Sequence, residues 1–139
     1  MSKITYDTQL LKIMFLFEKV TRTKLKDCFY DDKEILTFVV DQPQIGKAIG
    51  KNASNVKKLK DLLKKNIKIV AYNDNIIRFV ENLIYPIKAQ VRKEGNDIII
   101  GGKDTKTKGI LIGRNRSNLE NLKSITKKYF KDIENIHVK

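Results

Sequence analysis

One stretch of this chain occurs twice, 63 residues apart. Gly46-Lys47-Ala48-Ile49-Gly50-Lys51-Asn52-Ala53-Ser54-Asn55-Val56 returns as Gly109-Ile110-Leu111-Ile112-Gly113-Arg114-Asn115-Arg116-Ser117-Asn118-Leu119. Gly46, Ile49, Gly50, Asn52, Ser54 and Asn55 recur unchanged, as do Leu59, Lys60, Lys64 and Lys65 further on. A repeat fixes the number of folding units before any fold can be assigned. The 139 residues are therefore expected to form two similar units, residues 1–73 and 74–139. Units of about 70 residues bury limited cores, so each is expected to lean on the other.

Charge narrows the class of partner. The formal net charge is +13. It is spread evenly: residues 1–74 carry 15 Lys and Arg against nine Asp and Glu, and residues 75–139 carry 14 against seven. A distributed basic surface suits a polyanion. An ordinary Lys-rich soluble protein is the other reading, and the abundance of Lys, Ile and Asn fits an AT-rich genome. The 41% apolar content supports packed cores. Cys28 is the sole cysteine, so no internal disulfide can form, which fits a reducing compartment; it sits in an apolar run and reads as a small core residue. The N-terminus lacks the basic, apolar, small-residue order of a signal peptide. No run of 18 apolar residues is present, so no membrane span is expected and the cytoplasm is the expected location.

Periodicity gives a coarse element map. Thr5, Asp7 or Thr8 can cap a helix to about Val20, with Leu10, Ile13, Met14, Phe17 and Val20 on its core face. Leu11, Phe15 and Leu16 widen that stripe and offer surface to a second domain or a partner. Leu25–Tyr30, Asp31-Asp32-Lys33 and Glu34–Val40 predict a hairpin. A short helix over Gln44–Ile49 ends at Gly50. Ser54 is expected to cap a helix over Asn55–Lys65, with Val56, Leu59, Leu62 and Leu63 inward, and Ile67–Tyr72 is a strand. The second unit repeats this order. Asp74 or Asn75 caps a helix to Ile84, stopped by Pro86. Ile87–Val91 and Ile98–Ile100 are strands around a turn at Glu94-Gly95-Asn96-Asp97. A short helix covers Lys106–Ile112, a long one Ser117–Phe130 with Leu119, Leu122 and Ile125 inward, and Ile133–Val138 is the last strand. With no Gly/Ser-rich linker at Asn73-Asp74-Asn75, a rigid tandem is expected.

The segments Ile49-Gly50-Lys51-Asn52-Ala53-Ser54-Asn55-Val56 and Ile112-Gly113-Arg114-Asn115-Arg116-Ser117-Asn118-Leu119 resemble the KH-domain signature: an apolar residue, a G-x-x-G loop, then an amphipathic helix. The element order resembles the type II form of that domain. The tandem, the short basic chain and the opening Met14-Phe15-Leu16-Phe17-Glu18-Lys19-Val20 are similar to the archaeal NusA-like transcription factors. The resemblance covers nearly the whole chain. It implies an α+β fold of two tandem type II KH domains, each a three-stranded sheet packed against helices. It also implies a non-enzymatic protein without cofactors that binds single-stranded nascent RNA and influences elongation or termination, with RNA polymerase as a further partner. A KH loop clamps about four nucleotides.

The residues support that reading independently. A loop entering a helix offers backbone N–H groups and a positive dipole end to phosphate, and glycine lets a backbone approach closely. The candidate RNA-binding residues are Ile49, Gly50, Lys51, Asn52, Ala53, Lys57 and Lys58 in the first copy, and Ile112, Gly113, Arg114, Asn115 and Arg116 in the second. Lys51 and Arg114 bring charge, and Asn52 and Asn115 bring donors that tolerate left-handed angles. Lys60, Lys64 and Lys65 extend the basic field or simply form a solvated helix face. Both copies depart from the family pattern at the fourth loop position, which holds Ala53 and Arg116 in place of glycine. If that position needs a positive φ, each is strained by about 1 kcal/mol. The first loop then reads as a near-standard clamp and the second as an altered one in which Arg114 and Arg116 grip electrostatically. A scaffold that has lost RNA binding, a KH-type adapter, and a ribosome-assembly protein acting through protein or rRNA contacts are the alternatives.

Other chemistries fit poorly. Gly46–Asn52 is too short for a P-loop, and Asn52 stands where Ser or Thr would ligate magnesium. Gly101-Gly102-Lys103 reads as a turn. His137 is alone in the last strand, with no cluster of metal ligands and no nucleophile–base set. Tyr6, Tyr30, Tyr72, Tyr85 and Tyr129 lack the glycine-flanked context of a stacking motif and read as core or surface residues.

Overall fold

The computed structural model describes residues 7–139, so the Thr5 cap and Tyr6 lie outside the described residues. The chain divides into two compact units. One comprises the described residues to Tyr30 with Glu34–Tyr72, and the other Asp31–Lys33 with Asn73–Lys139. The fold is mixed α and β, with a three-stranded sheet and helices in each unit.

The first unit runs α1 (Thr8–Thr21), β1 (Asp27–Tyr30), β2 (Leu36–Asp41), α2 (Ile45–Ile49), α3 (Ser54–Leu63) and β3 (Ile67–Tyr72). Asp7 starts α1: its carboxylate accepts from the Leu10 N–H at 2.7 Å, taking one of the donors a helix start leaves over. Arg22, at φ 56°, closes it. The core face follows the expected spacing, with Ile13 and Phe17 buried and Leu10, Met14, Leu16 and Val20 packed against the core. Leu16 thus belongs inside, whereas Leu11 (44% exposed) and Phe15 (75%) face solvent.

β2 is the central strand, antiparallel to β1 and parallel to β3, with Phe38 opposite Cys28 on one side and Ile69 on the other. Every residue from Leu36 to Val40 is buried, the polar Thr37 included. Phe17 stacks on Phe38 with centroids 4.3 Å apart, joining α1 to the sheet. Cys28 is buried among them, and burial pushes its thiol pKa up to about 12, with Asp27 adding to the rise. It is an inert core residue. Leu62, expected inward, is 52% exposed. The buried side of α3 runs through Val56, Leu59 and Leu63, and at about 100° per residue Leu62 falls past its edge. The helix stops at Leu63 because Lys64 turns left-handed at φ 57°.

The second unit repeats the order: α4 (Ile76–Ile84), β4 (Gln90–Glu94), β5 (Asp97–Gly101), α5 (Thr105–Ile112), α6 (Ser117–Tyr129) and β6 (Asn135–Val138). Its sheet has β5 central, antiparallel to β4 and parallel to β6. Of the two candidate caps for α4, Asn75 does the capping, accepting from the Ile77 and Arg78 N–H groups. Asp104, unassigned in the sequence, caps α5 by accepting from the Thr107 N–H at 2.7 Å. Hydrogen bonding from Thr107 holds the Asp104 carboxyl below the usual carboxylate range. Leu111, Leu119, Leu122, Ile98, Ile100 and Ile136 make the core, and Ile125 is buried as expected.

Four strands begin later than expected: β1 at Asp27 and not Leu25, β2 at Leu36 and not Glu34, and, by a wider margin, β4 and β6. Of the Ile87–Val91 segment only Gln90 and Val91 lie in the strand. The Ile87 N–H donates to the Ile84 carbonyl at 2.9 Å, so the chain turns off α4 before the ladder starts at Gln90. Ile87 and Ala89 pack against the core from that turn. The polar Arg92, Lys93 and Glu94 are strand because they pair with Ile99, Ile98 and Asp97, as an antiparallel strand with one wet face permits. Likewise Ile133 lies in a turn, its N–H on the Phe130 carbonyl at 3.3 Å.

Candidate nucleic-acid interface

Both copies of the loop adopt the same backbone. α2 ends at Ile49 and the Gly50 N–H donates to the Gly46 carbonyl at 3.0 Å; α5 ends at Ile112 and the Gly113 N–H donates to the Gly109 carbonyl at 2.8 Å. Gly50 has φ 80° and ψ 166°, and Gly113 has φ 76° and ψ 170°. This is territory that only glycine occupies readily. A tight turn follows, closed by the Ala53 N–H on the Gly50 carbonyl (3.1 Å) and the Arg116 N–H on the Gly113 carbonyl (3.2 Å). Asn52 (55°, 33°) and Asn115 (54°, 32°) are left-handed, and so are Ala53 (59°, 29°) and Arg116 (62°, 20°). The fourth position therefore does need a positive φ in each copy, and an L-residue with a Cβ occupies it at a cost of about 1 kcal/mol or slightly more.

The helix starts next to these turns differ from three of the others: Asp7, Asn75 and Asp104 cap α1, α4 and α5 respectively with a side-chain oxygen, whereas the short α2 also lacks such a cap. Ser54, the expected cap of α3, has helical backbone angles and stands inside its helix, as Ser117 does at the expected start of α6. The cap positions are Ala53 and Arg116, and neither makes a side-chain cap bond. Two left-handed residues in a row carry the chain into the helix one residue earlier than a Ser cap would. Helix N-termini without a side-chain acceptor, beside a loop that comes close to solvent, are the arrangement that receives phosphate oxygens.

Asn55 and Asn118 hold this geometry in place. Asn55 Nδ2 donates to the Lys47 carbonyl at 3.1 Å, and Asn118 Nδ2 donates to the Ile110 carbonyl at 2.7 Å. Each ties the start of the following helix back to the preceding one. Their recurrence in both copies was visible in the sequence; the carbonyl that each reaches was not. Gly46 and Gly109 lie on the exposed sides of α2 and α5, and a Cβ on either would meet nothing within 4 Å.

The candidate cations sit around the loops. Lys51, Asn52, Lys57 and Lys58 are exposed, and Ile49, Gly50 and Ala53 are half-buried beside them. In the second copy Arg114, Asn115 and Arg116 are exposed, while Ile112 and Gly113 are half-buried. Arg116 Nε lies 3.6 Å from Glu120 Oε1. Lys60 and Lys64 are exposed, whereas Lys65 turns away from the loop: its Nζ donates to Tyr30 Oη at 2.8 Å. The tyrosines go to other uses. Lys26 Nζ stands 4.2 Å above the Tyr72 ring, and Tyr129 meets Phe79 edge-on at 5.5 Å; Tyr85 is exposed. His137 Nε2 lies 3.1 Å from Asp97 Oδ2 on the neighbouring strand.

Comparison with known proteins adds a family. The profile of the KH domain matches residues 13–94, from within α1 through the first loop to the end of β4. The probable transcription termination protein NusA of Methanocaldococcus jannaschii is 29% identical over 135 residues, covering 94% of this chain and 73% of that protein. The protein of the same name from Thermoplasma acidophilum is 26% identical over 144 residues, covering 100% of this chain and 98% of that one. Among solved structures, the crystal structure of APE1850 matches with a TM-score of 0.73 at 26% identity, over 96% of this chain and 100% of the other.

Proposed function

This chain belongs to the KH-domain family as a NusA-like member with archaeal relatives, and from that premise we propose that it binds single-stranded nascent RNA through its two loops and so modulates transcription elongation or termination. Each half of the sequence, residues 1–73 and 74–139, then acts as a type II KH domain in tandem. The protein works by holding RNA in the cytoplasm, not by catalysis, and RNA polymerase is its second partner. Among the described residues no helix is long and apolar enough to cross a membrane.

One observation carries this reading: in both copies a glycine-led turn that holds exposed Lys or Arg delivers the chain into a helix whose start has no side-chain cap. Backbone donors and cations then converge on the same few ångströms of surface, which is what a phosphate diester needs. A neutral base-binding surface alone would not need the charge. Two sites on one chain also raise the effective concentration of a bound strand at the second site.

The reading predicts a steep salt response. Association with a labelled oligouridine, followed by fluorescence anisotropy, should weaken with a log–log slope of about −0.7 for each phosphate neutralised. Two or more contacts per loop give a slope of about −3. A flat salt response, or no association at low salt, rules the clamp out.

A second reading draws on α1. Leu11 and Phe15 stand one turn apart on its solvent side, 44% and 75% exposed, with Lys12 and Lys19 beside them. Such a face suits a protein partner and fits an adapter. Phe15→Asp should leave the thermal midpoint almost unchanged, because the ring is outside the core, yet abolish co-purification of RNA polymerase. Retention of polymerase by the folded variant excludes α1 as the contact.

A further inference from the structure

We infer that Glu120 is a built-in competitor for phosphate at the second loop, so that the two loops are unequal and single-stranded RNA is held chiefly by the first. This rests on the RNA-binding reading above and adds to it a division of labour and the residue that sets it.

The two loops make an internally controlled comparison. Their backbone angles agree within about ten degrees at every position described above. Glycine, asparagine and serine stand at matching places. Any difference in phosphate binding must come from the side chains that do not match. Residues 50–58 carry Lys51, Lys57 and Lys58 and no acid, a local charge of +3. Residues 113–121 carry Arg114, Arg116 and Glu120, a charge of +1 within the segment, and Lys33 adds a cation from outside it, its Nζ donating to Asn118 Oδ1. The decisive exchange is Lys57 for Glu120, a reversal of sign at the same place in the first turn of the helix.

Glu120 acts in two ways. Its carboxylate lies 3.6 Å from Arg116 Nε, with the two side chains 54% and 65% exposed. An incoming phosphate must displace that carboxylate from Arg116 and then sit close to a like charge. In addition, an acid in the first turn of α6 offsets the positive end of the helix, while α3 has none there. A pair so exposed contributes little to folding, so its consequence falls on what can approach the loop.

The test uses the whole chain and a fluorescein-labelled oligouridine of about twelve nucleotides, several times the span of one KH clamp. Glu120→Lys should bind severalfold more tightly at low salt, with the log–log salt slope steeper by about 0.7 for each phosphate newly neutralised. Glu120→Gln should move in the same direction by less. The double variant Lys57→Glu with Glu120→Lys keeps the net charge of the wild type. In it, photocrosslinks from 4-thiouridine RNA should shift from residues 47–58 to residues 110–121. Tighter binding of the Glu120 variants together with that shift supports the inference. If wild-type binding is intact but the Glu120 variants bind no more tightly, or the crosslinks stay where they were, the inference is overturned and the RNA-binding reading survives. If the wild type binds no oligouridine, both fall together.

Discussion

Gly113→Ala should lower the stability of the second unit by about 3 kcal/mol, the sum of a strained backbone and an overlap. At φ 76° and ψ 170° an alanine is held in a region that costs about 1–3 kcal/mol. Its Cβ would lie 2.7 Å from Asn118 Cγ, 2.8 Å from the Asn118 backbone nitrogen and 2.8 Å from Asn118 Nδ2. The backbone atom cannot swing aside, and moving the side chain breaks the bond to the Ile110 carbonyl. Gly50→Ala meets Ser54 Oγ at 2.7 Å and Asn55 Nδ2 at 3.0 Å. Both are side-chain atoms, so relief is easier and a loss of about 2 kcal/mol is expected, mostly from the backbone. Gly109→Ala is the control. It sits in a helix with nothing within 4 Å of its would-be Cβ, so alanine should stabilise the chain by up to about 1 kcal/mol. Urea titration followed by far-UV circular dichroism reads all three. A Gly113→Ala midpoint equal to that of the wild type would mean that the turn has no need of glycine.

Lys51→Asp combined with Asn52→Asp should weaken RNA association by about 10- to 100-fold in dilute salt. Loss of one charge-assisted contact is worth about 1.5–3 kcal/mol, and each 1.4 kcal/mol is tenfold in affinity. The two new carboxylates also repel phosphate over a Debye length of about 10 Å at 0.1 M salt. Asp tolerates the left-handed angles at position 52 nearly as well as Asn, so the loop should keep its trace. A gel shift with an unstructured oligoribonucleotide measures the effect, and a far-UV spectrum matching the wild type excludes unfolding. Unaltered affinity in the folded variant would remove the first loop from the interface.

Much of the architecture was legible because the repeat could be read twice. The spacing of Ile13 and Phe17, the apolar run Phe38–Val40, and the strand Ile67–Tyr72 followed from sequence pattern alone. The late starts of β4 and β6 were not legible, since Ile87 and Ile133 are apolar for the sake of core packing from turns rather than from strands. Position on a ladder depends on the partner strand, which no single segment specifies. The loops show the same limit. Residue types announced Gly50 and Gly113, but the preference of serine for helix caps pointed to Ser54. The pair of left-handed residues ahead of that serine moved the cap to Ala53, whereas α6 begins at Ser117 as its sequence suggested, behind Arg116. Asn55 and Asn118 recurred without an evident task because their partners are carbonyls, which the residue type does not reveal.

The left-handed conformation at Ala53 and Arg116 also affects how such proteins are found. Since the turn accepts a residue with a Cβ there at a small and nearly fixed penalty, the terminal glycine of the motif is a convenience of the backbone and not a requirement of its shape. A lineage can therefore exchange that glycine for a methyl group or a guanidinium and leave the path of the chain alone. Pattern searches that insist on glycine will pass over these descendants. A search built on the first glycine, the asparagine two places later, and the Ser-Asn pair opening the helix would retrieve them.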